Sequence, residues 1–231
     1  MHVPIRLFRS GVRCAWYDGG HCTMAKKVEI IGVSGVRGSF SEEAARTYAA
    51  KNGLKQYRIN YLTSVENVLS ALEAGDITLG VFPIENSNGG VVIEAVHAMA
   101  KHRFSIRKMF EIDVHHNLLV KKGVKAGDIK TITSHDQALK QCRMYLKRRW
   151  PNVKVVAYAD TAKAAEDLAA GKLPKTTAAV ASRAAAVLHK LDILEESIQD
   201  LKFNYTSFIV ASKDTTLVPS AFKPLRKAAV K

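Results

Sequence analysis

From residue 27 to residue 212 the chain alternates short apolar runs with longer amphipathic stretches. No other feature of the sequence constrains the fold so much. The runs 28–33 (VEIIGV), 57–61 (YRINY), 77–85 (ITLGVFPIE), 129–134 (IKTITS), 153–158 (VKVVAY), 176–182 (TTAAVAS) and 204–212 (NYTSFIVAS) read as strands. They are short and nearly unbroken in apolar character, as strands covered on both faces are. Helical stretches lie between them. One opens at Ser41 as N-cap, with Glu42 and Glu43 in its first turn. One is capped by Ser64 and closed by Gly75. Residues 90–102, 135–150, 161–171 and 183–191 supply the others, the second of these stopped by Pro151. Such alternation predicts an α/β fold with largely parallel sheets.

Two runs of strand–helix units divide the chain into two lobes. The first takes residues 27–105 and recovers 200–213; the second takes 106–199. Residues 104–120 and 191–203 are the expected crossings. In open α/β sheets ligands bind beyond the carboxyl ends of the strands, so the site is expected in the cleft between the lobes.

Residues 1–24 carry neither period and no apolar core of the kind a signal peptide needs. They read as an extension, with Met24 as an alternative start. Residues 214–231 read as a basic tail. No apolar run approaches the roughly 20 residues of a membrane span. The three cysteines, Cys14, Cys22 and Cys142, cannot all pair and form no CxxC. That suits a reducing, cytoplasmic setting. Cys14, His21 and Cys22 lack a fourth ligand, so no metal is expected.

The net charge of +14 admits nucleic-acid binding, steering of an anion, or a solvated basic surface. The basic residues are dispersed, and no nucleic-acid-binding signature is present, so nucleic acid is not the expected partner.

Polar clusters sit at the strand ends: GVRGSFS (35–41), PIENSNGG (83–90), TSHDQ (133–137), ADT (159–161) and NYTSF (204–208). Each alone is ordinary turn and cap chemistry. As an ordered set, with HHNLLV, DTAKAAEDLAAG and IQD, they resemble the prephenate dehydratase family from about Val28 to Ser212.

The resemblance implies two α/β lobes built like type II periplasmic binding proteins, with the site in the cleft. It implies conversion of prephenate, a small dianion, to phenylpyruvate with loss of carbon dioxide and water, without cofactor or metal. By the same resemblance Thr206 stands at the leaving hydroxyl. Asn86, Ser134 and Gln141 match functional polar positions, and Ser87, Thr161 and Phe208 line the cleft. Ser39, with the amides near Gly38, is placed to hold a carboxylate at a helix start. His116 matches a family histidine and is expected to order a strand end. Members form dimers or larger assemblies, so a homodimer is expected. Many add a C-terminal phenylalanine-binding domain, for which the present chain leaves no room; feedback through it is expected to be absent.

Two positions depart from the family pattern. Ser207 replaces an arginine expected to grip a carboxylate bidentately, and Asp160 replaces a serine. Arg183 is the foremost candidate to compensate, with Lys202 and Arg37 behind it. The departures leave three readings open: prephenate dehydratase, a prephenate decarboxylase-like or altered-substrate homologue, and a non-catalytic small-anion-binding protein of the same fold.

Overall fold

The computed structural model describes residues 28–213. The extension, the tail and the Cys14, His21, Cys22 group lie outside the described residues.

The first sheet contains β1 (Glu29–Val33), β2 (Tyr57–Tyr61), β3 (Leu79–Asn86), β4 (Gly90–Val91), β5 (Phe104–Asp113) and β11 (Tyr205–Lys213), in the order β2-β1-β3-β11-β5 with β4 paired to β3. Helices α1 (Phe40–Lys51), α2 (Val65–Ala74) and α3 (Ile93–Met99) pack on it. The second sheet contains β6 (Asn117–Val120), β7 (Thr131–His135), β8 (Lys154–Tyr158), β9 (Thr177–Ala181) and β10 (Asp192–Glu195), in the order β10-β6-β9-β7-β8. With it go α4 (Asp136–Gln141), α5 (Arg143–Arg149), α6 (Thr161–Ala169) and α7 (Arg183–His189).

Both sheets are covered on both faces. In β11, Phe208 and Val210 pack with Ile31, Val81 and the alanines of α1, whereas Ile209 and Ala211 pack with Leu69, Leu72 and Phe82. The period of two along one strand therefore feeds two cores. In the second sheet Leu118 and Val180 face one core and Leu119 and Ala179 the other.

The sheets are mixed rather than largely parallel. Only the pairings of β1 with β2 and β3, and of β7 with β8 and β9, are parallel. The crossing strands impose the other direction: β11 returns antiparallel to both β3 and β5, and β6 runs antiparallel to β9 and β10. The break at residue 105 is also displaced. β5 stays paired with β11 through Asp113, because seven of the residues 106–113 find partners in the first sheet. The segment read as a plain return crossing contains β10, paired to β6.

Local signals account for most helix ends. Ser64 Oγ accepts from Asn67 N at 3.1 Å, and Gly75 closes α2 at φ 88°, a left-handed value that glycine adopts without strain. The cap of α1 is Ser39, whose Oγ accepts from Glu42 N, and not Ser41, which turns its hydroxyl back to Ser34 O. The expected helix over 135–150 is two, broken at Cys142. Asp200, on the return connection, accepts from Met144 N and Tyr145 N at 2.8 and 2.7 Å and starts α5 afresh. Residues 90 and 91 join the sheet as β4, so α3 begins only at Ile93.

Candidate functional site

β11 runs antiparallel to β3, so its first residues lie beside the last residues of β3: Thr206 is opposite Asn86. The same level of the cleft receives the turn after β1, the end of β7 and the turn after β8. Together they enclose a cavity of about 290 Å³ between the lobes. Ser39, Asn86, Gln141, Thr161, Thr206 and Phe208 all line it, with His116, Phe40, Pro83, His135, Gln137 and Asp160.

One chain of amide hydrogen bonds crosses the cleft. Asn86 Nδ2 donates to Thr206 Oγ1 at 2.8 Å and to Asn204 Oδ1 at 2.9 Å. Gln141 Nε2 donates to Asn86 Oδ1 at 2.9 Å. Gln141 Oε1 accepts from Asn204 Nδ2 at 3.0 Å and from His116 Nε2 at 2.7 Å. Every amide orientation is set by its neighbours in the chain. Thr206 Oγ1 accepts from Asn86, and no described residue accepts its proton. Its O–H is free to donate into the cavity.

Burial holds His116 below the usual histidine range; the bond to Gln141 opposes this without overcoming it. The ring is therefore neutral at physiological pH, with its proton on Nε2. It packs edge-on to Phe40 at a centroid distance of 5.6 Å. A neutral donor clamped in this way orients Gln141 and is a poor acid.

Three other predicted site residues stand apart from the cavity wall. Ser134 is fully buried and donates to Val180 O at 2.7 Å, which ties β7 to β9 behind the cleft. Ser87 Oγ accepts from Tyr205 N at 3.0 Å and steadies the mouth of β11. Arg183 is exposed and pairs with Glu196 at 2.5 Å. Arg37 and Lys202 are also outside the lining. The amide of Gly38 is already taken: it donates to Glu42 Oε2 at 2.7 Å. Burial raises the Glu42 carboxyl, but this bond and Arg46 outweigh it and hold the group below the usual carboxylate range.

Ser207 faces away from the cavity. Its neighbours Thr206 and Phe208 point in, and its own Oγ donates to Glu111 Oε1 at 3.3 Å. Asp160 is the N-cap of α6, accepting from Lys163 N at 2.9 Å. A carboxylate caps there as well as a serine does and adds a favourable charge at the helix start.

Among the described residues that line the cavity none is lysine or arginine. Positive potential comes instead from backbone. The first turns of α1 and α6 carry N–H groups that a helix cannot satisfy internally, and Phe40, Ser41, Thr161 and Ala162 of those turns all border the cavity.

Sequence reasoning assigned no role to Asn204, which is fully buried and joins Val114 O, Asn86, Asn88 and Gln141. Its signal was present as the first residue of NYTSF, an amide where an apolar strand should open. Gln137 and Phe40 lay within the clusters TSHDQ and GVRGSFS but were given no role of their own.

A family model described as prephenate dehydratase matches residues 31–216. Prephenate dehydratase of Methanocaldococcus jannaschii is 36% identical over 179 residues, covering 77% of this chain and 62% of that protein. The chloroplastic arogenate dehydratase 5 of Arabidopsis thaliana is 34% identical over 201 residues, covering 87% and 45%. The solved prephenate dehydratase of Arthrobacter aurescens, in complex with L-Phe, superposes with a TM-score of 0.74 at 28% identity, covering 81% of this chain and 61% of that one. The chain thus spans about half the length of the arogenate dehydratase and under two thirds of the other two.

Proposed function

Because the chain belongs to the prephenate dehydratase family, we propose that its interlobe cavity carries out the decarboxylating dehydration of prephenate. The single observation behind this is the Thr206 hydroxyl, which accepts from Asn86 Nδ2 and lines the cavity with its own proton uncommitted.

In that reaction the bond from the ring to its carboxylate breaks and carbon dioxide leaves. The bonding pair moves through the ring and expels the hydroxyl on the opposite carbon. The hydroxyl departs as water once it gains a proton, and the ring becomes aromatic. Thr206 donates its hydrogen bond to the departing oxygen, where negative charge grows in the transition state. The net proton comes from solvent. Phe208 and Pro83 give the ring an apolar wall. The carboxylates fall to the amides that open α1 and α6, with Ser39 and Thr161 beside them. Backbone donors fit a cavity lined by no described lysine or arginine.

Arogenate differs from prephenate only in carrying an amine where prephenate has a side-chain ketone, and it is the second substrate to try. Both compounds should be mixed with the protein at neutral pH and the products identified. Phenylpyruvate from prephenate supports the proposal, and its loss in Thr206→Val ties it to this site. Turnover of arogenate alone would shift the substrate. A non-aromatic decarboxylated product, or binding without turnover, would overturn the dehydratase reading. The reading includes cytoplasmic location and a homodimer, in keeping with the family's habit; a monomer by light scattering would remove the second.

A further inference from the structure

A second constellation lies where the two connections between the lobes run side by side. Ser197 Oγ, on the return connection, is 3.1 Å from Nδ1 of His115 on the outgoing one. His115 Nε2 lies 3.2 Å from Asp113 Oδ2. A neighbouring amide decides which ring nitrogen carries the proton. Gln199 Oε1 accepts from His116 N at 3.1 Å, which turns Gln199 Nε2 toward His115 Nδ1 at 3.2 Å. An amide NH2 only donates, so Nδ1 presents its lone pair and the proton sits on Nε2, directed at Asp113. The Ser197 hydroxyl and the Gln199 amide then share that one lone pair, at 3.1 and 3.2 Å. Hydroxyl, base and orienting carboxylate stand in the order that activation of a serine requires.

The surroundings add to this. Ser197 has φ 50°, a left-handed value that costs a non-glycine residue energy and recurs at functional sites. Its N–H is held by Asn117 Oδ1 at 3.2 Å. Asp113, His115 and Ser197 line one pocket of about 240 Å³ with Phe40, Asn117 and Arg183 among its other walls. Phe40 also lines the cleft cavity and so forms the partition between the two. Ser197 is exposed and the His115 side chain is 49% accessible, so a substrate reaches them without any opening of the lobes.

We propose that this pocket is a separate hydrolytic site that cleaves small acyl esters through an acyl-Ser197 intermediate. Ser197 Oγ adds to the acyl carbon while its proton passes to His115 Nδ1. Asp113 stabilises the resulting imidazolium through Nε2–H. Arg183, which pairs with Glu196 through Nη2, offers its remaining N–H donors to the oxyanion. Collapse breaks the bond to the alcohol, which leaves with the proton from Nδ1. Water then adds to the acyl group, giving its proton to Nδ1, and the acid departs as Ser197 Oγ is reprotonated. Ester and water become acid and alcohol, with no redox change. The proposal does not depend on the dehydratase reading, which uses other residues.

Two measurements on the full chain test it. A fluorophosphonate probe followed by digestion and mass spectrometry should place an adduct on Ser197. Hydrolysis of p-nitrophenyl acetate should fall at least about 100-fold in Ser197→Ala. Adducts confined to other residues, or no adduct, would overturn the proposal without needing any variant to fold. So would equal rates in wild type and Ser197→Ala when the two share one circular dichroism spectrum and melting temperature.

Discussion

Asn86 donates to Thr206 Oγ1 at 2.8 Å while Gln141, from the other lobe, donates to Asn86 Oδ1 at 2.9 Å. Asn88 N and Gly89 N also donate to Asn86 Oδ1, at 3.0 and 2.7 Å, so the amide that faces Thr206 is held from both lobes. Asn86→Asp replaces the N–H donor with an acceptor. The carboxylate would take the Thr206 proton, and the hydroxyl would present a lone pair to the cavity. The expected outcome is a fall in kcat for dehydration of about 100-fold or more with a small change in KM, as for loss of a contact made in the transition state. Steady-state kinetics on purified Asn86→Asp checks it. Equal kcat would show that Thr206 is not oriented by Asn86.

Gly38 binds the lobes on the opposite side of the cavity. Its carbonyl accepts from Ser182 Oγ at 2.7 Å, it has φ 81°, and a Cβ there would lie 3.1 Å from the Ala185 Cα. Gly38→Ala therefore meets both a backbone conformation that disfavours alanine and a backbone neighbour that cannot swing away. A destabilisation of about 1–3 kcal/mol is expected, measured as a lower midpoint in urea. An unchanged midpoint would mean that the lobes part at this contact without cost.

The alternation of apolar runs and capped helices made the α/β class and the two lobes legible, because buried parallel strands and N-caps are local signals. Strand direction was not legible. β5 and β11 look like any other strand, and their pairing, with that of β4 to β3, makes the first sheet mixed. The break at Cys142 was hidden for a similar reason: the helical pattern runs through it, and Asp200, distant in sequence, creates the new start. The site divides likewise. Thr206, Asn86 and Gln141 stood in recognisable motifs, whereas Asn204 showed only as a misplaced amide. Position 207 was legible as a departure, but its facing was settled by the alternation along β11.

His102 holds α2 to the start of β5. Its Nδ1 lies 2.7 Å from Glu73 Oε2 and its Nε2 3.1 Å from Glu66 Oε1. The hydrogen bond to Glu73 leads in raising the histidine above its ordinary value, against burial and with help from Glu66. A histidine whose folded pKa is raised stabilises fully below its unfolded value, about 6.5, and that stabilisation fades as pH rises through the folded value. The stability difference between wild type and His102→Ala is therefore expected to be larger at pH 6 than at pH 9. Urea unfolding at the two pH values checks this; a difference that grows with pH would contradict the clamp.

Ser207 sits between two carboxylates. The register places Glu85 of β3 on one side and Glu111 of β5 on the other, and both are exposed. An arginine at 207 would start from the face opposite to Thr206 and Phe208 and meet these acids before the cavity. Cross-strand pairs of opposite charge on an exposed face are worth about 0.2–1 kcal/mol. Ser207→Arg is thus expected to raise stability by that order and to leave the turnover of prephenate within about 2-fold, since no cavity contact is added. The stability gain should shrink at high salt, as exposed ion pairs are screened. Denaturation at low and high salt, with kcat/KM for prephenate measured beside it, tests both parts. A large gain in kcat/KM would show that an arginine at this position does reach the substrate, and that backbone amides alone do not hold its carboxylates.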